Sequence, residues 1–372
     1  MAQHSLLKRA LHPYITLGGL LLLFFLIITG TLYQTDHGLY EAQRLYFGYS
    51  IVWVGKFLPL PGASLVLWVL SLQVVLTMLF VMPLSWKKLG LWVSHIGLLI
   101  LLIGGFITQK MAIESQLTLA EGEVGHFTTS YQDWELAIWE SHGDTNTVLA
   151  YKDTDLRPGL TLALSPYPAR ITVNQYFGNA DAFTEKATGG KTAFLNSSGI
   201  TYLEARKPEK EAIQNAPGLM ATLHENGMKD KDFLLFGLEP KPLPIKIGKQ
   251  RVWMQLRRRH YPLTFSLKLT DFVRSLHPGT DMARSFESYA DLQDGLSSRP
   301  VKIWMNNPLR YAGLTFFQAS FSQEQGVEHS TFAVVTNPGR LLPYISSLTV
   351  FLGMLLHFMI RFIGYVKRTS IP

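Results

Sequence analysis

Cysteine is absent from all 372 residues. That excludes a disulfide framework, a thiol oxidoreductase, a cysteine-bound zinc ion and covalent attachment of haem to this chain. Charge is scarce as well. Only 16% of the residues are Asp, Glu, Lys or Arg, against ~25% in soluble proteins. With 47% apolar residues, the composition excludes disorder, collagen and coiled coil. The sequence contains no Gly-rich phosphate loop, no HExxH and no GxSxG elbow. Internal repeats and low-complexity tracts are missing too. The length is that of two or three domains.

What the chain does have is long uncharged runs. Residues 10–35, 57–86, 89–109 and 341–360 each carry no Asp, Glu, Lys or Arg. A helix needs about 20 apolar residues, at ~1.5 Å each, to cross a bilayer core of ~30 Å. All four runs meet that length. The first has a core too long for a secretory leader and no small-residue cleavage site after it, so it reads as a retained helix. The expected fold is an integral membrane protein with four transmembrane helices, three N-terminal and one C-terminal. A large β-rich extracytoplasmic domain is inserted between helices three and four.

The formal net charge of +7 raises the question of nucleic acid. Its distribution answers it. Lys8 and Arg9 precede helix one, Lys87 and Lys88 join helices two and three, and Arg361, Lys367 and Arg368 follow helix four. These segments hold no acidic residue, and four crossings put them on one side. By the positive-inside rule that side is cytoplasmic, with both termini. The other side keeps 27 basic and 27 acidic residues, so nucleic-acid binding has no electrostatic basis.

Three parts follow: 1–109 with three helices, 110–340 as the outer domain, and 341–372 as the last helix and tail. The outer part reads as strands at 169–177, 242–247, 251–256, 263–269, 301–305, 314–321 and 331–335. These segments alternate or are rich in β-branched and aromatic residues, with turn formers between them. Residues 184–232 read as an insertion with at most one short helix.

Ionisable residues inside a membrane helix are costly and therefore mark function by default. His95 lies in helix three, ~10 Å from its cytoplasmic start, and His357 lies in helix four, one turn before Arg361. Both fall in the cytoplasmic half at similar depth, and His12 sits at the same surface. Gly90, Gly97 and Gly104 form a close-packing stripe, with His95 ~200° around from Gly97. Ser346, Thr349, Gly353, His357 and Gly364 form a small or polar stripe on helix four. Two readings stay open. The imidazoles ligate a haem b iron, with Arg361, Lys87 or Lys88 pairing its propionates, or each one only hydrogen-bonds a neighbouring helix. In the outer part, 304–321 is the most distinctive stretch and reads as a turn between strands. The run Arg257, Arg258, Arg259, His260 reads as a solvated strand end that can hold an acidic partner. The other histidines, such as His126, His224, His277 and His329, show no metal-site spacing.

Several segments carry a resemblance. They are ITGTLYQTDHGLY (28–40), the His-Ile-Gly-Leu opening of helix three at His95, YPLTFSLKLTDFVRSLHPGT (261–280), MNNPLRYAGLTFFQASF (305–321) and the TNPGRLLPYISSLTVFLGMLLHF entry to helix four. In this order they resemble the ResB (CcsB) family of cytochrome c biogenesis proteins, the System II route. Their order is what makes the resemblance specific, and the fourth piece follows N-x-P-L-x-Y-x-G-x-x-F-Y-Q with Phe317 in place of its tyrosine. The resemblance implies a bacterial inner-membrane protein acting with a CcsA (ResC) type partner in the lipid bilayer. Such a pair moves haem outward and presents it to an apocytochrome c. The family's membrane histidine falls on His95, whereas His357 rests on depth and face alone. No tryptophan-rich motif of the partner type is present. The chain is then at most one subunit of a cytochrome c synthase. The alternatives are a membrane assembly factor that binds no haem, and an electron-transfer subunit with a single haem b.

Overall fold

The computed structural model describes residues 11–55, 57–142, 145–184, 194–280, 283–324 and 326–369. Lys8 and Arg9 lie outside them, as does the side chain of Arg368. The chain divides into two units, Met1–Ile113 with Val335–Pro372, and Glu114–Val334.

The first unit holds α1 (Pro13–His37), α2 (Ala63–Phe80), α3 (Leu89–Met111) and α4 (Leu342–Thr369). All four are long and apolar enough to cross a bilayer, so this is a membrane protein with four candidate spans. His12 caps α1 by accepting the Tyr14 N–H at 3.4 Å, and Pro13 opens the first turn, where no donor is needed. Gly38 closes the helix at φ +78, a conformation that side chains with a Cβ rarely adopt.

The second uncharged run is shorter as a helix than as a sequence. Leu58–Pro61 forms strand β2 of a hairpin with β1 (Ile51–Val54), and α2 ends at Phe80, ahead of Pro83. Absence of charge does not set helix limits, whereas prolines at 59, 61 and 83 remove backbone donors and exclude the helical conformation before them. Conversely, α4 continues past Arg361 and Lys367, because charge ends a bilayer crossing and not a helix. A short helix (Leu39–Gln43) and a π-turn (Arg44–Gly48) connect α1 to the hairpin. Leu26, Tyr46, Val52, Val66 and Leu70 close a small core among these elements.

The second unit is β-rich. In chain order its strands are β3 (Ile113–Ala120), β4 (Val124–His142), β5 (Thr145–Lys152), β6 (Thr161–Ala163), β7 (Ala169–Phe177), β8 (Ala180–Thr184), β9 (Ile200–Ala205), β10 (Gly218–Glu225) and β11 (Lys231–Phe236). There follow β12 (Leu243–Ile247), β13 (Gln250–Leu276), β14 (Ala283–Asp294), β15 (Ser297–Trp304), β16 (Leu309–Tyr311), β17 (Leu314–Glu324) and β18 (Val327–Thr336). One ten-stranded sheet runs β15-β14-β13-β4-β3-β18-β17-β16, with β12 on β13 and β5 on β4. A four-stranded sheet runs β11-β10-β7-β6.

The two longest strands pass through two cores. Leu136 and Ile138 of β4 and Val252, Met254 and Leu256 of β13 pack against Ile171, Leu219 and Leu223 of the smaller sheet. Further along β13, Leu267 and Leu269 join a second core with Leu119, Leu292, Phe316 and Phe332. There the hydroxyls of Ser288 and Ser330 lie 2.8 Å apart, and Gln318 accepts from Ser288 at 2.6 Å and donates to Ser330 at 3.0 Å. This satisfies polar groups that would otherwise be costly there.

Three sequence readings change. Residues 251–256 and 263–269 belong to a single strand, because a register shift against β4 after Pro262 absorbs the missing proline donor. The Arg257–His260 run is therefore mid-strand and partly buried, not a solvated end. Arg257 pairs with buried Glu135 at 3.0 Å, and the Arg258 guanidinium lies over the Trp134 ring at 4.1 Å. Finally, 184–232 is not a loose insertion where it is described. It contains β10, central in the four-stranded sheet, with Leu219, Ala221 and Leu223 buried on alternate positions. Residues 185–193 of that stretch lie outside the described ones.

Candidate functional site

The chemistry-bearing residues of the first unit lie along α3 and α4. These two helices meet through the predicted glycine stripe, and Gly90, Gly97 and Gly104 are all buried. A Cβ on Gly90 would come within 2.3 Å of the His357 backbone nitrogen, and one on Gly97 within 2.7 Å of a Val350 methyl. Gly353 of α4 answers from the other side, its Cβ position lying 2.5 Å from Ser94. Backbones this close gain dispersion contacts that larger residues would block, which matters between helices because lipid supplies no hydrophobic drive. Buried Ser346 donates to the Gly97 carbonyl at 2.8 Å and fixes the register. Thr349 turns its hydroxyl to its own helix, at the Ile345 carbonyl, and Gly364 stands exposed.

His357 belongs to this seam. It is partly buried, its backbone lies level with Gly90, and its Nδ1 is buried with no hydrogen-bond partner among the described residues. Arg361, one turn further, is exposed.

His95 occupies a different sector. Five residues on from Gly90 at ~100° each, it points ~140° away from the face that α4 covers. Its Nδ1 lies 2.7 Å from the Leu91 carbonyl oxygen, so Nδ1 carries the proton and donates. The Nε2 lone pair is then free to act as a ligand, the usual arrangement in which a second hydrogen bond fixes a metal-binding imidazole. Trp92, three residues before, shares this side of α3, and its buried Nε1 also lacks a partner among the described residues. His95 lies ~7.5 Å further along α3 than the level of His357. The side chain of each leans toward its own helix N-terminus, which draws the two rings toward one level but leaves them in different sectors. The structure thus brings the His357 backbone to α3 at Gly90, and the hydrogen bond of His95 runs within its own helix.

Four other histidines have local structural partners. His12 stacks on Tyr14 with centroids 4.4 Å apart, and His37 on Tyr33 at 3.9 Å. His224 takes Thr172 and Asp230, and His260 stacks on Phe127 at 4.0 Å. Burial, aided by the nearby Arg257 charge, holds the His260 imidazole down to about 4. Among the described residues no three His, Asp or Glu side chains cluster as a metal site. The stretch 304–321 forms the expected turns. Asn306 and Ala312 adopt φ of +63 and +48 there, and the Trp304–Asn307 bridge closes the first turn.

Sequence reasoning missed the polar groups left without partners at Trp92 and Gln73, whose Oε1 is buried and unpaired among the described residues. An uncharged apolar run hides such groups. The spacing of Trp92 and His95, three residues apart on one helix face, was the available signal.

The match to known proteins falls on both units. The model of the ResB-like family matches residues 248–334, which run from the start of β13 into β18. Protein NrfI of Wolinella succinogenes is 23% identical over 388 aligned positions covering 98% of this chain. The chain spans 37% of that relative's length. The family segment with its turns at 304–313, and a similarity to NrfI that extends through the four apolar helices, make this chain similar to ResB/CcsB-type proteins.

Proposed function

We propose that this chain acts in cytochrome c biogenesis as the ResB half of a System II pair, handling haem at the cytoplasmic side of the bilayer. The observation that carries the reading is His95. Its Nδ1 is committed to the Leu91 carbonyl, its Nε2 is free, and it projects from the α3 sector that α4 leaves uncovered. Such an imidazole supplies one axial position to a haem iron. The second comes from outside this chain, from a CcsA-type partner that packs against that sector. His357, in the α3–α4 seam, serves a separate site, with Arg361 as the nearest cation for an acidic group at the rim. Haem b is cargo here. Its attachment needs thiols that this cysteine-free chain does not have, so the apocytochrome provides them.

The positive-inside distribution supports cytoplasmic termini and an outward β-rich unit in a bacterial inner membrane. The charge-balanced β-rich unit then serves as the docking part for partner or apocytochrome. The test is a haemochrome spectrum of the purified chain, alone and with its CcsA-type partner. We expect bis-histidine haem in the complex and a weakened spectrum for His95→Ala. An unchanged spectrum in that variant removes His95 from the site. A complex that matures cytochrome c without any haem of its own would favour the plain assembly-factor reading.

A further inference from the structure

One cavity of the first unit has no part in the reading above. It has a volume of about 600 Å³ and lies where α2, α3 and the connection after α1 converge. Its walls are apolar, from Phe47, Leu67, Leu101, Leu102 and Phe106, and the Phe106 ring is stacked on Trp68 at 4.2 Å. Its polar lining is of two kinds. Gln109 donates to the Phe47 carbonyl at 2.7 Å and to Ser64 at 3.1 Å, and Ser64 also donates to Phe47, so this cluster is internally satisfied. Arg44 and Lys110 are the two cations that line the cavity. Arg44 is tied to Glu41 at 2.9 Å, but both side chains remain substantially exposed, at 54% and 36%. Lys110 has no acidic partner among the described residues, and its position ends α3 with a positive charge.

Gly105 lines the same space, and a Cβ there would meet nothing within 4 Å. The three buried glycines of α3 are consumed by packing, so this one instead leaves volume. The cavity also shares a sector with His95. Leu102, Phe106 and Gln109 follow His95 by 7, 11 and 14 residues, which at ~100° per residue returns each to within ~40° of its direction. An apolar slot with cations at one end suits a molecule with an apolar body and an acidic head.

We propose that this cavity binds the acidic head of an amphiphile, with Arg44 and Lys110 as the anion-binding residues and the Leu67–Leu102–Phe106 wall against its apolar body. The head group is a phosphate if the amphiphile is a phospholipid and a propionate if it is a porphyrin; the porphyrin case alone rests on the haem reading above. The cavity size and charge decide the class, and the experiment separates the sources.

The full chain is purified in neutral detergent, delipidated and reloaded with phosphatidylglycerol or phosphatidylcholine, and retained lipid per chain is measured by mass spectrometry. In parallel, haemin binding is titrated in a His95→Ala background, which removes axial ligation from the readout. Wild type should retain phosphatidylglycerol over phosphatidylcholine or bind haemin without His95. Lys110→Gln and Arg44→Gln should each weaken the responding ligand by roughly three- to tenfold, and Lys110→Arg should restore it. Gly105→Leu should lower retention by filling the cavity; its thermal midpoint shows whether the helices still fold, and the exposed Lys110→Gln variant stands if it does not. Loss confined to phosphatidylglycerol identifies a phospholipid, and loss confined to haemin a propionate. Equal retention of both lipids and unaltered haemin affinity in Lys110→Gln and Arg44→Gln would overturn the proposal. A failed His95→Ala haemochrome test leaves the phospholipid arm intact, so the two readings fail separately.

Discussion

His260 offers a direct measure of how the β-rich unit treats a charge inside its longest strand. The ring is stacked on Phe127 at 4.0 Å, partly buried in mid-β13, and neighbours Arg257. Burial, then the Arg257 charge, holds the imidazole down to about 4, from an ordinary 6.5. The folded state therefore refuses a proton that the unfolded chain accepts. Stability from this group is complete above pH ~6.5, declines as pH falls toward 4, and falls no further below that. At ~1.4 kcal/mol per pH unit the whole displacement is worth ~3 kcal/mol, and screening at the ring's solvent edge reduces this to about 1–2 kcal/mol. Two assays follow on the detergent-solubilised full chain. An NMR titration of labelled histidine should find one resonance that titrates near 4 and disappears in His260→Phe. Unfolding followed by tryptophan fluorescence should show wild type losing about 1–2 kcal/mol more than His260→Phe between pH 7 and pH 4, because phenylalanine keeps the stack and has no proton to refuse. A His260 resonance titrating at 6 or above, or equal pH slopes in the two proteins, would refute the reasoning.

Ala312 sits at φ +48 in the β16–β17 turn, where a Cβ costs ~1–2 kcal/mol. Ala312→Gly should raise stability by about 0.5–1 kcal/mol after its greater unfolded-state freedom is deducted, read as a higher thermal midpoint of the full chain. Gly97→Leu drives side-chain atoms into Val350 and the Ser346 carbonyl, already 2.7 Å and 3.1 Å from a bare Cβ. A cysteine pair placed across the α3–α4 seam should then fail to cross-link in membranes where the glycine parent cross-links. Glu135 is 5% exposed and bound to Arg257, itself 18% exposed, so Glu135→Gln should cost about 2 kcal/mol by leaving a partly buried cation without its counter-charge. The double variant Glu135→Gln with Arg257→Met should recover most of that loss in a denaturation cycle.

The sequence made the membrane unit more legible than the β-rich one, for a physical reason. Bilayer crossing imposes one requirement, an uninterrupted apolar length, and residues 89–109 show it to within two residues of α3, while 341–360 mark the start of α4 but not its end. Where the requirement lapses, at Leu58–Pro61, an uncharged segment is free to be a hairpin. Strands carry only alternation, and long-range pairing decides the rest. The sequence broke β13 at RRRHYP because four polar residues and a proline look like a loop, yet Glu135, Trp134 and Phe127 from β4 supply the partners that keep it a strand. β10 alternates Leu219, Ala221 and Leu223, but the charged segments around it obscured the pattern. At the candidate site, the glycine stripe and the outward direction of His95 could be read from spacing alone. The hydrogen bond to Leu91 and the unpaired atoms of Trp92 and His357 could not, because they depend on rotamers.

The glycine face of α3 also bears on biosynthesis. Met111 ends α3 and Leu342 begins α4, so its lock arrives only after the whole intervening polypeptide has been made. At ~5–20 residues per second that interval is on the order of 10–50 s. Throughout it, Gly90, Gly97 and Gly104 stand open in a nascent membrane protein. Any other helix with a matching notch can lodge there first, so the ribosome's schedule, and not just the final contact energy, helps decide which neighbour this surface keeps.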